Sequence, residues 1–149
     1  CSQSRGLGDV YKRQFINFDQ CDIITPNLNE LKHLSGNNII SEQDIKESCK
    51  IILNKYNLKY IIAKRGDEGI TIIGNNDYVK HLKAKFVKTP DVTGAGDTVI
   101  SSISLAFAIT NDIEKSAEFA INASALAVSK PGTATVTIDE INNYINANE

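Results

Sequence analysis

The chain has 149 residues, of which 42% are hydrophobic and 23% charged, as is typical of a globular domain with a real core. A net charge of −2 and a pI of 5.7 give no reason to expect a nucleic-acid or membrane partner. No apolar run approaches the roughly 20 residues that span a bilayer. The three cysteines form no CxxC pair, so we expect neither a disulfide framework nor a zinc site, and a cytoplasmic location.

The N-terminal stretch CSQSRGLGDVYKRQ is polar and lacks helical or strand periodicity, and the sequence contains no Met. It is similar to translated adapter sequence. We therefore expect residues 1–14 to be non-native and residues 15–149 to form one α/β domain that is incomplete at its start. Cys21 and Cys49 are expected to be small core residues.

The first half of the chain predicts two helices and several strands separated by turn residues. Pro26 ends the first strand, Asn27 and Ser41 are good helix N-caps, and Gly36 ends the first helix. The predicted strands cover residues 21–25, 58–64, 69–74 and 78–87, with a glycine-bounded turn at 65–69 and a hairpin turn at 75–77.

The second half predicts a tight glycine loop and then three helices. The helices are expected over residues 97–109, over 113–129 and after Thr137, which forms a capping box with Glu140. A break at 130–132 and an extended segment at 133–136 separate the last two. Strands that alternate with helices indicate an α/β layered domain rather than a bundle or a sandwich.

The loop DVTGAGD at residues 91–97 is the segment that most clearly suggests chemistry. Its glycines permit a sharp turn, and the free N–H groups of the following helix can hold a phosphate. Asp97 at the same helix start could accept a proton from a hydroxyl beside that phosphate. Alone, the pattern is a weak signal and is more typical of an aspartate cap after a glycine turn. Neither a P-loop nor a GxGxxG after a strand is present.

Three motifs in order resemble those of ribokinase-like (PfkB-type) carbohydrate kinases. DVTGAGD is similar to the D-T-x-G-A-G-D signature, TPNLNE at 25–30 to T-P-N-x-x-E, and KRGDEG at 64–69 to the [ST]-[KRL]-G-x-x-G nucleotide loop. The resemblance covers residues 22–149. It implies a ribokinase-like layered fold, with a mostly parallel central sheet flanked by helices, and an ATP-dependent transfer of phosphate to a sugar hydroxyl.

The resemblance also implies roles for single residues. Asp97 would be the catalytic base, and the N–H groups of Gly94, Ala95 and Gly96 would form the anion hole for the γ-phosphate. Asn27 and Glu30 would organise Mg²⁺ and its waters. For Asn27 and Glu30, a helix cap with a first-turn acid is the alternative, and both readings are compatible.

Further residues would surround ATP in such a kinase. Gly66 and Gly69 would let the backbone pass close to the nucleotide, with Lys64 near the phosphates or ribose, where the family usually has Ser or Thr. Asn122 and Gly132 fall where the family lines its adenine pocket, although Asn122 could equally make a hydrogen bond on a helix surface. Asp91 and Thr93 match positions that bind a monovalent cation such as K⁺ in some members.

The acceptor is indicated by two segments near the C-terminus. Residues 129–137 are similar to the K-x-G-T-A-T-V-S ending of bacterial heptose 7-phosphate kinases, and residues 119–125 resemble their F-A-N-A-A-A helix with one residue inserted. This implies phosphorylation of D-glycero-β-D-manno-heptose 7-phosphate at its anomeric hydroxyl, on the route to ADP-heptose and lipopolysaccharide.

Other interpretations stay open. They are another kinase of this fold, such as a ribokinase, a fructokinase or a nucleoside kinase, and a non-catalytic nucleotide-binding fragment. We expect the chain alone to be inactive or weakly ATP-binding. The resemblance is compatible with a homodimeric parent protein and with a fused nucleotidyltransferase domain outside this chain.

Overall fold

The computed structural model describes residues 21–88 and 90–147, so the expected non-native segment 1–14 lies outside the described residues. Five α-helices and four strands follow one another in this part of the chain. The strands are β1 (Ile23–Ile24), β2 (Tyr60–Lys64), β3 (Ile70–Gly74) and β4 (Val79–Leu82). The helices are α1 (Leu28–Ser35), α2 (Glu42–Tyr56), α3 (Ala95–Thr110), α4 (Ile113–Val128) and α5 (Ile138–Ala147).

The four described strands form one sheet in the order β1-β2-β3-β4. β1 runs parallel to β2, whereas β2 with β3 and β3 with β4 are antiparallel. A one-turn 3₁₀ helix at Gly66–Glu68 joins β2 to β3, and the turn at 75–77 joins β3 to β4. Such short connections only allow antiparallel neighbours. The described sheet is therefore mixed, in contrast to the mostly parallel sheet expected from the sequence.

Helices cover both faces of this sheet. Successive residues of β2 point to opposite faces, and both sets are apolar, so each face needs a covering helix layer. Ile61 and Ala63 pack in a cluster with α1 and α2, while Ile62 packs in a second cluster with α3 and α4. Three alanines of α4 are fully buried: Ala117, Ala120 and Ala123. Helices α3 and α4 form the most extensive helix contact described. The α/β layered class predicted from the sequence is confirmed.

Side-chain caps begin most of the helices, as their sequences predict. Ser41 accepts the N–H of Asp44 at 3.2 Å, and Asp44 in turn accepts the N–H of Ser41 at 2.7 Å. Thr137 and Glu140 form the predicted capping box at the start of α5, with bonds of 2.8 and 3.2 Å. Each cap satisfies N–H groups that the first helical turn leaves unpaired, which fixes where the helix begins.

Two local expectations were wrong, namely the end of β4 and the burial of Cys21. β4 ends at Leu82 instead of residue 87, because its partner β3 begins only at Ile70 and the chain then crosses over Gly69. Residues 133–136 lie outside the described sheet, and the extended segment expected there stays a prediction. Cys21 is exposed, whereas Cys49 is fully buried and its pKa is raised to about 12 by desolvation. In the described part of the chain, every helix falls short of the length and hydrophobicity of a membrane span.

Candidate active site

A cavity of about 700 Å³ lies where β2, the start of α3 and the C-terminal half of α4 meet. Its walls are the residues that follow β2, the segment after β4, the glycine loop (residues 91–96) and one face of α4. The cavity brings together six residues that the sequence singled out for nucleotide, metal or anion binding: Asn27, Lys64, Gly66, Gly69, Ala95 and Gly96.

The glycine loop turns into α3 at Gly94, which has a left-handed backbone with φ of 78°. That conformation strains a side chain with a Cβ, so glycine is needed here. Ala95 donates its N–H to the carbonyl of Val92 at 3.2 Å and is thus engaged in the turn. No backbone acceptor for the N–H groups of Gly94, Gly96 and Asp97 lies among residues 21–88 and 90–147. Two of the three predicted anion-hole amides are therefore free, and Asp97 adds another.

Asp97 lies in the first turn of α3 and its side chain is exposed. Ser101 Oγ bonds its backbone carbonyl at 2.8 Å, but no donor within the described residues reaches its carboxylate. An unengaged carboxylate beside free N–H groups can accept a proton from a hydroxyl placed next to a bound phosphate. The role of Asp97 as the base stays a prediction.

Lys64 is the last residue of β2 and is partly buried. Its backbone N–H bonds the carbonyl of Pro26 at 2.8 Å, and an isolated bridge links it to Asn27. The side chain crosses toward α3, where Nζ lies 3.4 Å from the point at which a Cβ on Gly96 would stand. Lys64 thus places a positive charge beside the free amides of the glycine loop.

Asn27 and Glu30 form a reciprocal capping box at the start of α1. Asn27 Oδ1 accepts the N–H of Glu30, and Glu30 Oε2 accepts the N–H of Asn27, both at 2.8 Å. No donor within the described residues reaches the second carboxylate oxygen of Glu30. No group of three or more His, Cys, Asp or Glu side chains suited to a metal occurs in the described chain. An unpaired carboxylate oxygen fits a water of Mg²⁺, an ion that usually keeps several of its waters.

Asp91 connects the glycine loop to the loop after α4. Its Oδ2 accepts the N–H of Gly132 at 2.7 Å, and its Oδ1 accepts the N–H of Thr93 at 3.1 Å. The Thr93 side chain, followed by these N–H groups, holds the pKa of Asp91 below its usual range. Both oxygens thus already accept hydrogen bonds, so a cation at Asp91 and Thr93 would have to share them. The structure brings Gly132 to Asp91, 41 residues away, which the sequence did not reveal.

Asn122 lies outside the cavity described above. Its Nδ2 donates to the carbonyl of Glu118 at 2.9 Å, and the side chain lines a neighbouring cavity of about 520 Å³ between β4, α4 and α5. Asn122 thus makes a hydrogen bond on the helix surface, which was the alternative to a place in the adenine pocket. Other residues of α4 line the first cavity instead: Ile121, Ser124, Ala125 and Val128.

Arg65 organises the loop at residues 65–69, which we call the Arg65 loop, and sequence reasoning missed it. Its guanidinium, only 10% exposed, pairs with Glu42 of α2 and with Glu68, and also donates to Thr71 Oγ1 at 3.3 Å. The hydrogen bond with Glu42 is the main cause that raises the Arg65 pKa. Since Glu42 lies 23 residues away, no local spacing could have indicated this contact.

Comparison with known proteins places this geometry in a family. The model of the pfkB family carbohydrate kinase matches residues 12–140. The bifunctional protein HldE of Blochmanniella floridana is 34% identical over 132 residues, which cover 89% of this chain and 27% of that protein. HldE of Salmonella arizonae is 31% identical over 139 residues, 93% of this chain and 29% of that protein. The chain thus spans less than a third of the length of these relatives.

Solved structures agree with the sequence relatives. Ribokinase from Thermotoga maritima superposes with a TM-score of 0.74 at 25% identity, covering 84% of this chain and 42% of that one. Arabidopsis thaliana ribokinase, solved with ribose and ATP, has a TM-score of 0.79 at 23% identity and covers 86% and 42% of the two chains. The ribokinase-like fold expected from the sequence is confirmed, and this chain belongs to the pfkB family of carbohydrate kinases.

Proposed function

We propose that this chain carries the nucleotide-binding and catalytic part of an ATP-dependent kinase that phosphorylates a sugar hydroxyl. One observation carries the proposal. The unengaged carboxylate of Asp97 and the free N–H groups of Gly94 and Gly96 occupy the same helix start, and Gly96 of that start lines the cavity of about 700 Å³. Phosphoryl transfer needs this combination of a proton acceptor and an anion cradle.

In the proposed reaction Asp97 accepts the proton of the acceptor hydroxyl. The hydroxyl oxygen forms a bond to the γ-phosphorus, while the bond from that phosphorus to the bridging oxygen breaks and ADP leaves with the electron pair. The free N–H groups at the start of α3 stabilise the charge on the transferring group, because they are already oriented and require no rearrangement. Proton removal and charge stabilisation thus occur within one helical turn.

The nucleotide is proposed to lie along the cavity with its phosphates toward α3. Gly66 and Gly69 of the Arg65 loop line the cavity, whereas Gly132 lies outside its lining and is held to the glycine loop by its hydrogen bond to Asp91. The apolar residues that α4 contributes to the wall are suited to a flat aromatic base. Asn122 would contribute only if the base extended toward the neighbouring cavity.

Metal ions are proposed to have limited contact with protein atoms. Mg²⁺, when bound, would neutralise the phosphates, with Glu30 and Asn27 holding its waters. A monovalent cation such as K⁺ would share the oxygens of Asp91 and Thr93. Because Asp91 already accepts a hydrogen bond from the N–H of Gly132, we propose that the main role of Asp91 is to hold the glycine loop against the loop after α4.

The proposed acceptor is D-glycero-β-D-manno-heptose 7-phosphate, phosphorylated at its anomeric hydroxyl. Support comes from the ending at residues 129–137 and from the HldE relatives at 31–34% identity. Because those relatives are bifunctional and much longer than the match, a fused second activity is part of the proposal. Since the reaction consumes ATP, we place it in the cytoplasm. Ribose and fructose 6-phosphate are the acceptors of the second candidate, another kinase of this fold, supported by the ribokinase superpositions.

The test is an acceptor panel measured by ADP release from Mg·ATP. The protein would be the longest reading frame that contains residues 15–149, with heptose 7-phosphate, ribose, fructose 6-phosphate and adenosine as acceptors. We expect turnover with heptose 7-phosphate at least about tenfold above the others, which corresponds to one good discriminating contact. Turnover with another acceptor would replace the substrate and keep the kinase. The absence of turnover with every acceptor would overturn the proposed function.

A further inference from the structure

The position of Lys64 suggests a more specific part in the reaction than general contact with a nucleotide. Its backbone is fixed at the end of β2 by the 2.8 Å bond to the carbonyl of Pro26. The side chain therefore starts from a rigid point and ends beside Gly96. A long, unbranched side chain with a cationic tip can reach across the cavity in a way that the family's usual Ser or Thr cannot.

The charge of Lys64 has no partner in the described chain. No carboxylate within residues 21–88 and 90–147 forms an ion pair with it, although five other lysines have one: Lys50, Lys59, Lys80, Lys115 and Lys130. The Lys64 ammonium lies beside the start of α3, which itself carries partial positive charge. Two positive groups this close repel each other unless an anion lies between them. Its position is explained if an anion completes the site.

The residues next to the Lys64 ammonium indicate where that anion would bind. The start of α3 carries partial positive charge and offers the N–H groups of Gly96 and Asp97, so both it and the ammonium attract the same anion. The nearest such anion in the proposed reaction is the γ-phosphoryl group. The β-phosphate and the ribose would lie farther along the cavity, toward the Arg65 loop.

We infer that Lys64 binds the γ-phosphoryl group of ATP and stays with that group while it is transferred, an inference that rests on the proposed function. The ammonium donates a charge-assisted hydrogen bond to a non-bridging oxygen and exchanges no proton. It thereby distinguishes ATP from ADP, and it offsets the charge that gathers on the transferring group. A neutral hydroxyl at this position would donate a weaker hydrogen bond and supply no charge.

The test compares nucleotides in Lys64→Met, made in the longest reading frame that contains residues 15–149. We expect affinity for a non-hydrolysable ATP analogue to fall about 10- to 100-fold, and affinity for ADP to fall less than about threefold. Lys64→Arg, which keeps the charge, should retain most of the preference for ATP. Lys59→Met is the matched control, since Lys59 is exposed and immediately precedes β2, and it should leave both affinities unchanged.

Kinetics separate the γ-phosphoryl group from the phosphate of the acceptor as the anion that Lys64 binds. In Lys64→Met, we expect kcat/KM for ATP to fall about 10- to 100-fold, with KM for the sugar phosphate unchanged within about threefold. An increase confined to the KM of the sugar phosphate would show that Lys64 serves the acceptor. Equal losses for ATP and ADP, or no loss, would also overturn the inference. Thermal unfolding verifies that each variant is folded, and Lys64→Gln carries the same test if the Met variant does not fold.

Failure of the inference is distinguishable from failure of the proposed function. If the unmodified protein neither binds the ATP analogue nor releases ADP, the kinase proposal itself is wrong. If the unmodified protein binds and turns over ATP while Lys64→Met behaves in the same way, only the assignment of Lys64 is wrong.

Discussion

The Arg65 loop and the glycine loop border one cavity, but they are held in different ways. The Arg65 loop joins two paired strands, and the mostly buried guanidinium of Arg65 connects it to α2. Gly69 in this loop packs directly beneath the backbone that follows β4. The glycine loop lies outside the sheet, and the carboxylate of Asp91 provides its described side-chain bond to the loop after α4.

The difference follows from what each loop is proposed to do. A loop that shapes a nucleotide pocket can be held rigidly by strands and by the ion pairs of a mostly buried arginine. The glycine loop must leave N–H groups unpaired for a ligand, so it keeps fewer internal bonds. Substitutions in the Arg65 loop should therefore mainly change stability, and those in the glycine loop should mainly change activity.

The largest effect on stability is expected from Gly69→Ala. Gly69 has φ of 102°, and a Cβ there would stand 2.1 Å from the carbonyl oxygen of Leu82, which is backbone and cannot rotate away. We expect the free energy of unfolding to fall by about 2–5 kcal/mol in urea titrations. Gly66→Ala is the matched control, since Gly66 has φ of 65° but open space around its Cβ position. We expect a cost of about 1–2 kcal/mol for it. Equal losses would show that close packing at Gly69 is unimportant.

A smaller loss of stability is expected from Arg65→Leu. The substitution removes the hydrogen bonds to Glu42, Glu68 and Thr71, but both carboxylates are more than half exposed and water can replace the arginine. We expect a loss of about 1–2 kcal/mol, measured by urea unfolding. The double variant with Glu42→Gln should lose less than the sum of the single variants, because both remove the same contact. Additive losses would contradict the coupling.

Asp91→Asn should have the smallest effect on stability and a clear effect on activity. The amide keeps an oxygen for one N–H group but loses the charge that binds Gly132 and Thr93, so the glycine loop should shift. We expect turnover to fall about tenfold in an ADP-release assay, since small misplacements of reacting groups are costly. Asp139→Asn, in the exposed first turn of α5, is the control and should be silent.

The pH dependence of the Asp91 contact follows from its lowered pKa. The folded protein holds this carboxyl more acidic than the unfolded chain does, so the contact contributes stability above about pH 4. The contribution is lost as the pH falls through the folded pKa. Acid titrations of unfolding should show a smaller loss on acidification in Asp91→Asn than in the unmodified protein. If the two proteins lost stability equally on acidification, the hydrogen bonds of Asp91 would not contribute to the free energy of unfolding.

The sequence predicted local features better than distant ones. The capping box of Thr137 with Glu140 and the hairpin turn at 75–77 depend on residues a few positions apart, and both appeared as expected. The end of β4 was mispredicted, because the pattern of apolar residues continues beyond the point where its partner strand stops.

In the candidate site, too, the sequence predicted the local features but not the contacts between distant residues. Glycines, a helix start and an acid can be located from a motif, and the glycine loop was found in this way. The contact of Asp91 with Gly132 and that of Arg65 with Glu42 depend on segments that folding alone brings together. The proximity of Lys64 to Gly96 likewise required the packing of β2 against α3. These distant contacts position the site, and sequence spacing carries no signal for them.

The most direct test of the proposed mechanism is to measure ATP binding and turnover together in Asp97→Asn. Asp97 is exposed and its carboxylate has no donor among the described residues, so the substitution should leave folding and ATP affinity nearly unchanged. We predict that kcat falls about 10²- to 10⁴-fold, the usual loss for a missing general base, while Asp139→Asn keeps full activity. Unchanged turnover in Asp97→Asn, or a fall explained entirely by lost ATP binding, would contradict the assignment of Asp97 as the base.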